Sequence, residues 1–189
     1  MNYQETEIKL PILDLAAALR LVEALGARTA KPRHFEDNWI FDHEAHVLRN
    51  HGMLLRLRII DDNSDQGILT FKGRPEISDG VKNREELECE IHGTKNFVQT
   101  LSKLGFSAMF RYQKYRTVFQ IEHLSLDICL DETPIGNYFE LEGAIADIHE
   151  FANRLGFQRD QYILDSYAAL YFRWCSEQGK VPSQMTFDK

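Results

Sequence analysis

The chain has 189 residues, which at ~150 residues per domain bounds it to one compact domain with at most an appendage. With 43% hydrophobic and 27% charged residues it can bury a sizeable core and is too apolar to be disordered. The formal charge of -7, from 22 Lys+Arg against 29 Asp+Glu, argues against a nucleic-acid binder steered by its net field but leaves room for a local basic pocket.

Taken in chain order, Tyr3 to Leu10 alternates, with Thr6, Ile8 and Leu10 on one face and Glu5, Glu7 and Lys9 on the other. Asp14, Leu15, Leu19, Val22, Leu25 and Gly26 then spell a capped amphipathic helix with a glycine stop. Trp39 to Asp42 reads as a short strand. Leu55, Leu57 and Ile59 oppose Arg56 and Arg58; Leu69 and Phe71 oppose Thr70 and Lys72. The turn-rich stretches Asp61 to Gln66 and Gly73 to Asn83 read as exposed loops. Leu87, Cys89 and Ile91 oppose Glu86, Glu88 and Glu90, which places Cys89 on a packed face. A second helix runs from a Thr94 cap through Phe97, Leu101 and Leu104 to Gly105. Three more alternating runs follow: Tyr115, Thr117 and Phe119 against Lys114 and Arg116; Leu126, Ile128 and Leu130 against Asp127 and Asp131; Phe139 and Leu141 against Glu140 and Glu142. Helices starting at Asp147 and Asp165 complete the pattern, and the polar tail 179–189 is expected to fray outside a domain spanning 1–178.

About eight strands are enough to close a barrel, so the expected fold is α+β: an eight-stranded antiparallel β-barrel with a charged lumen and helices packed outside. The charged faces admit two readings. An antiparallel sheet can simply show water one side. Yet the charges are sorted: acids at Glu5/Glu7, Glu86/Glu88 and Glu140/Glu142, cations at Arg56/Arg58, Lys72 and Lys114/Arg116, with Lys9 and Asp127 beside them. Like charges at i and i+2 on one strand face repel and call for a counter-ligand. Carboxylate clusters take hard cations such as Mg²⁺ or Mn²⁺, and guanidinium or ammonium groups take phosphate oxygens, so a metal-bound polyphosphate satisfies both.

The opening Glu5-x-Glu7-x-Lys9 resembles the signature of the CYTH family, also called triphosphate tunnel metalloenzymes. Matching pieces follow in order: Asn38 to Asp42, Leu55 to Arg58, Thr70 to Gly73, Arg84 to Glu88, Lys114 to Arg116, Asp127, Phe139 to Gly143 and Ser166-Tyr167. The resemblance implies a tunnel in which Glu5, Glu7, Glu140 and Glu142 ligate Mg²⁺ or Mn²⁺, with Glu86, Glu88 and Asp127 as further ligands or water-orienting groups. It implies phosphate clamps at Lys9, Arg56, Arg58, Lys72, Lys114 and Arg116, with Arg84 a weaker candidate near a loop. Glu5, Glu7, Lys9 and Glu88 are the implied catalytic set. Many members carry a basic residue near the Ser-Tyr pair, where this chain has Ile163-Leu164-Asp165.

The chemistry implied is that of a class IV adenylate cyclase, making cyclic AMP and pyrophosphate from ATP, which the His34 to Asp37 lead-in favours slightly. The alternative is a triphosphatase acting on thiamine triphosphate or tripolyphosphate. A non-catalytic nucleotide or polyphosphate receptor is the rival from another class, disfavoured because carboxylates beside phosphate gain nothing without metal. Cys89, Cys129 and Cys175 form no disulfide or zinc pattern, and Cys129 shares the Asp127 face. His43-x-x-His46 followed by His51 could suggest zinc, but the group lies in a polar hairpin without matching cysteines or a second pair, which argues against a metal there. The acidic N-terminus and reduced thiols suggest a cytoplasmic protein that crosses no membrane. A homodimer is the default assembly.

Overall fold

The computed structural model describes residues 4–61 and 65–188. Tyr3 and part of the loop expected at Asp61 to Gln66 therefore lie outside the described residues. The strands are β1 (Gln4–Ile12), β2 (Arg28–His43), β3 (Leu54–Ile60), β4 (Gln66–Lys72), β5 (Glu76–Ser78), β6 (Val81–His92), β7 (Phe106–Gln120), β8 (Leu126–Thr133) and β9 (Gly136–Gly143). The helices are α1 (Leu15–Ala24), α2 (Val47–Asn50), α3 (Thr94–Lys103), α4 (Ile145–Arg154) and α5 (Tyr167–Glu177).

The sheet runs β1-β9-β8-β7-β2-β3-β4-β6, and pairing of β1 with β6 closes it into an antiparallel eight-stranded barrel. The short β5 is an extra strand on β6, inside a stretch whose sequence reads as loop. β2 is far longer than the Trp39 to Asp42 segment expected, because its first half pairs with β7 while exposing polar side chains that carry no apolar alternation.

Charged faces point inward. Along β1, Glu5, Glu7 and Lys9 are as buried as Ile8 and Leu10, so both strand faces are covered. The outer apolar face of β1, β7, β8 and β9, with Ile8, Leu10, Phe119, Ile128 and Leu141, is sealed by α1 through Val22 and by α4 through Ile148, Phe151 and Ala152. Leu101 of α3 covers Phe41 and Leu57 on the opposite side. Here Phe41, Phe119 and Phe139 are core, whereas Cys89, expected on a packed face, is exposed.

Helix starts differ by a residue or two from the sequence expectation. Asp14 does cap α1, accepting from the Ala17 N–H. Thr94 lies inside α3 behind a left-handed Gly93. Asp147 falls in the first turn of α4 and accepts from the Ser125 N–H, and Ser166 rather than Asp165 caps α5.

Two strand edges are completed by the C-terminal part of the chain. Beyond the end of β8, the free edge of β7 exchanges hydrogen bonds with Met185: Gln113 N–H donates to Met185 C=O and Met185 N–H to Arg111 C=O. Beyond the β1–β6 pairing, Lys9 and Ile163 exchange both of theirs, at 2.9 Å each. The tail expected to fray is thus docked, with Met185 only 1% exposed beside Tyr112 and Tyr171, and Phe187 against Tyr115. Unpaired backbone at a buried sheet edge is costly, and this segment satisfies it.

Candidate active site

The barrel lumen is packed with ion pairs, arranged by strand register. On β1, Glu5 meets Lys72 at 2.5 Å and Arg84 at 3.2 Å. Glu7 pairs with Lys9 and with Lys82, and Lys9 also reaches Glu140 at 3.0 Å. On the facing wall Arg116 is held by Asp131 at 2.6 Å and Glu140 at 2.7 Å, and Lys114 by Asp131 at 2.9 Å. Arg56 hydrogen-bonds to Thr70 and Tyr112 and approaches Glu86 and Glu88; Arg58 lies 3.6 Å from Glu36 and 3.8 Å from Glu88.

The structure therefore brings into one lumen Glu5, Glu7, Lys9, Arg56, Arg58, Lys72, Arg84, Glu86, Lys114, Arg116, Glu140 and Glu142. Arg84 sits on β6 and not in a loop. Glu88 is at the exposed margin, anchored by the Thr70 hydroxyl at 2.6 Å. Asp127 shares the inward face of β8, pairs in register with Glu142, accepts from Gln120 at 2.6 Å and lines a hollow at that end of the barrel together with Glu5 and Glu142. The three histidines do not assemble: His43 bonds to Gly105 and His51 to Val47 of its own turn.

Among the described residues, Glu5, Glu86 and Glu142 present carboxylate oxygens within 4.8 Å of one another. Burial, reinforced by the Glu5 carboxylate, pushes both Glu86 and Glu142 up to about 7. The set consists of hard oxygen donors, two of them short of positive charge, which fits Mg²⁺ or Mn²⁺. Lys72 is the countercation in place, 2.5 Å from Glu5 and 3.2 Å from Glu86. Glu7 and Glu140 differ: against the cost of burial, Lys9 above all holds Glu7 low, and Lys9 with Arg116 holds Glu140 low. They serve the cations rather than the triad.

Several lumen residues escaped the sequence reading. Lys82 falls inside the stretch Gly73 to Asn83 that reads as an exposed loop, yet it is buried on β6, and burial together with Lys9 pulls its ammonium below the usual range. Asp131, fully buried, was visible as an alternating acid, but only the register shows it gripping Lys114, Arg116 and the Tyr167 hydroxyl. Glu36 lies ahead of the Asn38 to Asp42 piece recognised in β2, and neither it nor Asn38 was singled out as a site residue, although their spacing with Ile40 was the available signal.

One end of the lumen opens into a cavity of about 280 Å³. Its inner wall includes Lys9, Arg56 and Lys114; its outer part carries the apolar Leu54, Met109, Phe110 and Phe172 beside His46 and Arg49. α5 covers this end, and Tyr167 at its start reaches inward with Lys9 and Lys114 about 5 Å from its ring centroid.

A CYTH domain family model matches residues 3–167, and the chain belongs to that family, which comprises metal-dependent, triphosphate-processing enzymes. Among solved structures, a candidate adenylate cyclase from Vibrio parahaemolyticus is similar at 19% identity, covering 90% of this chain and 98% of that one, with a TM-score of 0.75. A candidate adenylyl cyclase from Hippeastrum with a dominant triphosphatase activity is 25% identical, over 94% and 97% of the two chains, with a TM-score of 0.65. A Pyrococcus horikoshii protein reaches 0.69 at 20% identity over 88% and 98%. No curated protein sequence matches the chain.

Proposed function

We propose that this protein is a divalent-metal-dependent enzyme that breaks a phosphoanhydride bond of a triphosphate held in the barrel, acting on ATP as an adenylate cyclase of the class IV type. The observation that carries the reading is the Glu5, Glu86 and Glu142 triad set beside a wall of buried cations in one closed lumen. A receptor for phosphate alone would be weakened by those acids.

Glu5, Glu86 and Glu142 would hold Mg²⁺ or Mn²⁺, which when bound neutralises charge on phosphate oxygens. The chain's own cations do the positioning. Lys9, Lys72, Arg56, Lys114 and Arg116 come from different strands, so a linear triphosphate can exchange phosphate oxygens for carboxylates as their partners along its length. Phosphoryl chemistry needs such placement and neutralisation more than covalent help. The apolar part of the mouth, at Leu54, Phe110 and Phe172, is suited to a nucleobase and supports the cyclase reading. A triphosphatase is the second reading, supported by the Hippeastrum protein's dominant activity.

The test incubates the protein with Mn²⁺ and ATP, GTP, thiamine triphosphate or tripolyphosphate and identifies products. Cyclic AMP with pyrophosphate is expected from ATP; orthophosphate instead would select the triphosphatase. Excess chelator should stop either reaction, as should Glu5→Gln combined with Glu86→Gln, while calorimetric binding of tripolyphosphate persists. Full turnover in that double variant would remove the metal assignment.

A further inference from the structure

On the β2–β3 wall, five buried polar atoms have no hydrogen-bond partner among the described residues: both amide atoms of Asn38, Oε2 of Glu36, and the Nε groups of Arg56 and Arg58. Buried polar groups are almost always satisfied, so a cluster of exceptions points to a group that completes them. Asn38 is fully buried and lies in register between Arg58 on β3 and Tyr112 on β7. Glu36 is 1% exposed; its cationic neighbours Arg58 and Lys114 stand off at 3.6 Å and the His34 imidazole at 3.4 Å.

The cluster has a defined place along the lumen. Inward-facing residues of β2 run Ile40, Asn38, Glu36, and those of β7 run Phe110, Tyr112, Lys114. From the mouth inward, the wall is thus apolar, then neutral and hydrogen-bonding, then ionic. A nucleoside triphosphate has the same order: base, sugar hydroxyls, phosphates. The unpartnered atoms supply three donor nitrogens, which carry four N–H groups, against two acceptor oxygens, of which one is a carboxylate. Such a set suits a neutral hydroxyl, which both accepts and donates, better than a phosphate oxygen facing Glu36.

We infer that Asn38 and Glu36, with the Nε groups of Arg56 and Arg58, form a seat for a sugar hydroxyl of a nucleoside triphosphate and select such substrates over inorganic tripolyphosphate. This rests on the triphosphate reading of the lumen but not on which bond is broken. The seat would make the protein a reader of the sugar. A site built to bond a hydroxyl rejects analogues lacking it strongly, because its own groups are left unpaired.

The experiment is calorimetric titration, in chelator so that no turnover occurs, with ATP, 2′-deoxy-ATP, 3′-deoxy-ATP and tripolyphosphate. The wild-type protein should bind ATP at least tenfold more tightly than one of the deoxy compounds. Asn38→Ala should abolish that preference and lower the ratio of ATP to tripolyphosphate affinity at least tenfold; Asn38→Ser serves if the alanine variant fails to fold. Equal affinity of the wild-type protein for all three nucleotides, which is what a seat filled only by water would give, overturns the inference, as does a preference retained in the variant. Binding of tripolyphosphate without ATP also overturns it while leaving the triphosphate lumen standing; binding of none of the four overturns both.

Discussion

Single side chains in this barrel are read best by what surrounds them. Cys129 lies on the inward face of β8, 3% exposed, and burial pushes its thiol up to about 12. Cys175, on the buried face of α5, is 1% exposed, while Cys89 stands open on β6. Since the thiolate is the reactive species, a thiol reagent at pH 7.5 should titrate one cysteine in the native protein and three after denaturation. Rapid modification of two or more in the native state would contradict the burial. Asp42 is a second such residue. Its carboxylate accepts from the N–H groups of His43, Leu48 and Arg49, doing the work of a cap for α2 from outside the helix. Against the cost of burial, the Arg49, Leu48 and His43 amides hold its carboxyl below the usual range. A depressed carboxyl stabilises the fold above its unfolded value and loses that contribution as pH falls through its folded one. Asp42→Ala should therefore cost about 1–2 kcal/mol in urea denaturation at pH 7, with the gap to wild type closing below about pH 4. A gap independent of pH would remove the charge from the explanation.

At the scale of elements, the C-terminal tail tests whether edge completion matters. Met185 →Ala should cost about 2–5 kcal/mol, the range for a buried methionine, if the tail is docked on β7 as the Arg111 and Gln113 hydrogen bonds place it. A frayed tail would give a change within ~0.5 kcal/mol, the value for an exposed position. This segment also marks where sequence reading stops. The inward charges were legible because period-2 alternation is local, and Glu5, Lys9, Lys72, Lys114 and Glu142 all lie where it placed them. Tail docking was not, since it depends on β8 ending at Thr133 while β7 extends back to Phe106, a mismatch of lengths across strands. Cys89 failed for a related reason: its alternation is genuine, but whether the outer face is covered depends on where α3 packs. Asp127 does lie across from Glu142 in the β8–β9 register, but its carboxylate is taken up by Gln120, a contact that alternation along β8 does not show. The start of β2 escaped because Arg28 to Arg33 is polar and exposed on both faces, supported only by β7.

For the whole molecule, the net charge of -7 misleads about ligands, because the lumen charges are arranged independently of the surface. Inside, cations and acids are interleaved so closely that most are mutually paired before any ligand arrives. A polyanion entering such a lumen must take cations from carboxylates, and a divalent cation must take carboxylates from cations, so each makes room for the other. Each ligand alone should stabilise the fold modestly, and the two together by more than their sum. The checks are thermal shifts with tripolyphosphate, with Mn²⁺, and with both. Saturation to 100 times the dissociation constant gives ~2.7 kcal/mol by linkage, or about 5–10 °C for a chain of this size. Sulfate at matched ionic strength should shift the midpoint far less, since it cannot bridge clamps on several strands. Strictly additive shifts, or a sulfate effect equal to that of tripolyphosphate, would mean that the two ligands do not exchange partners with each other inside the barrel.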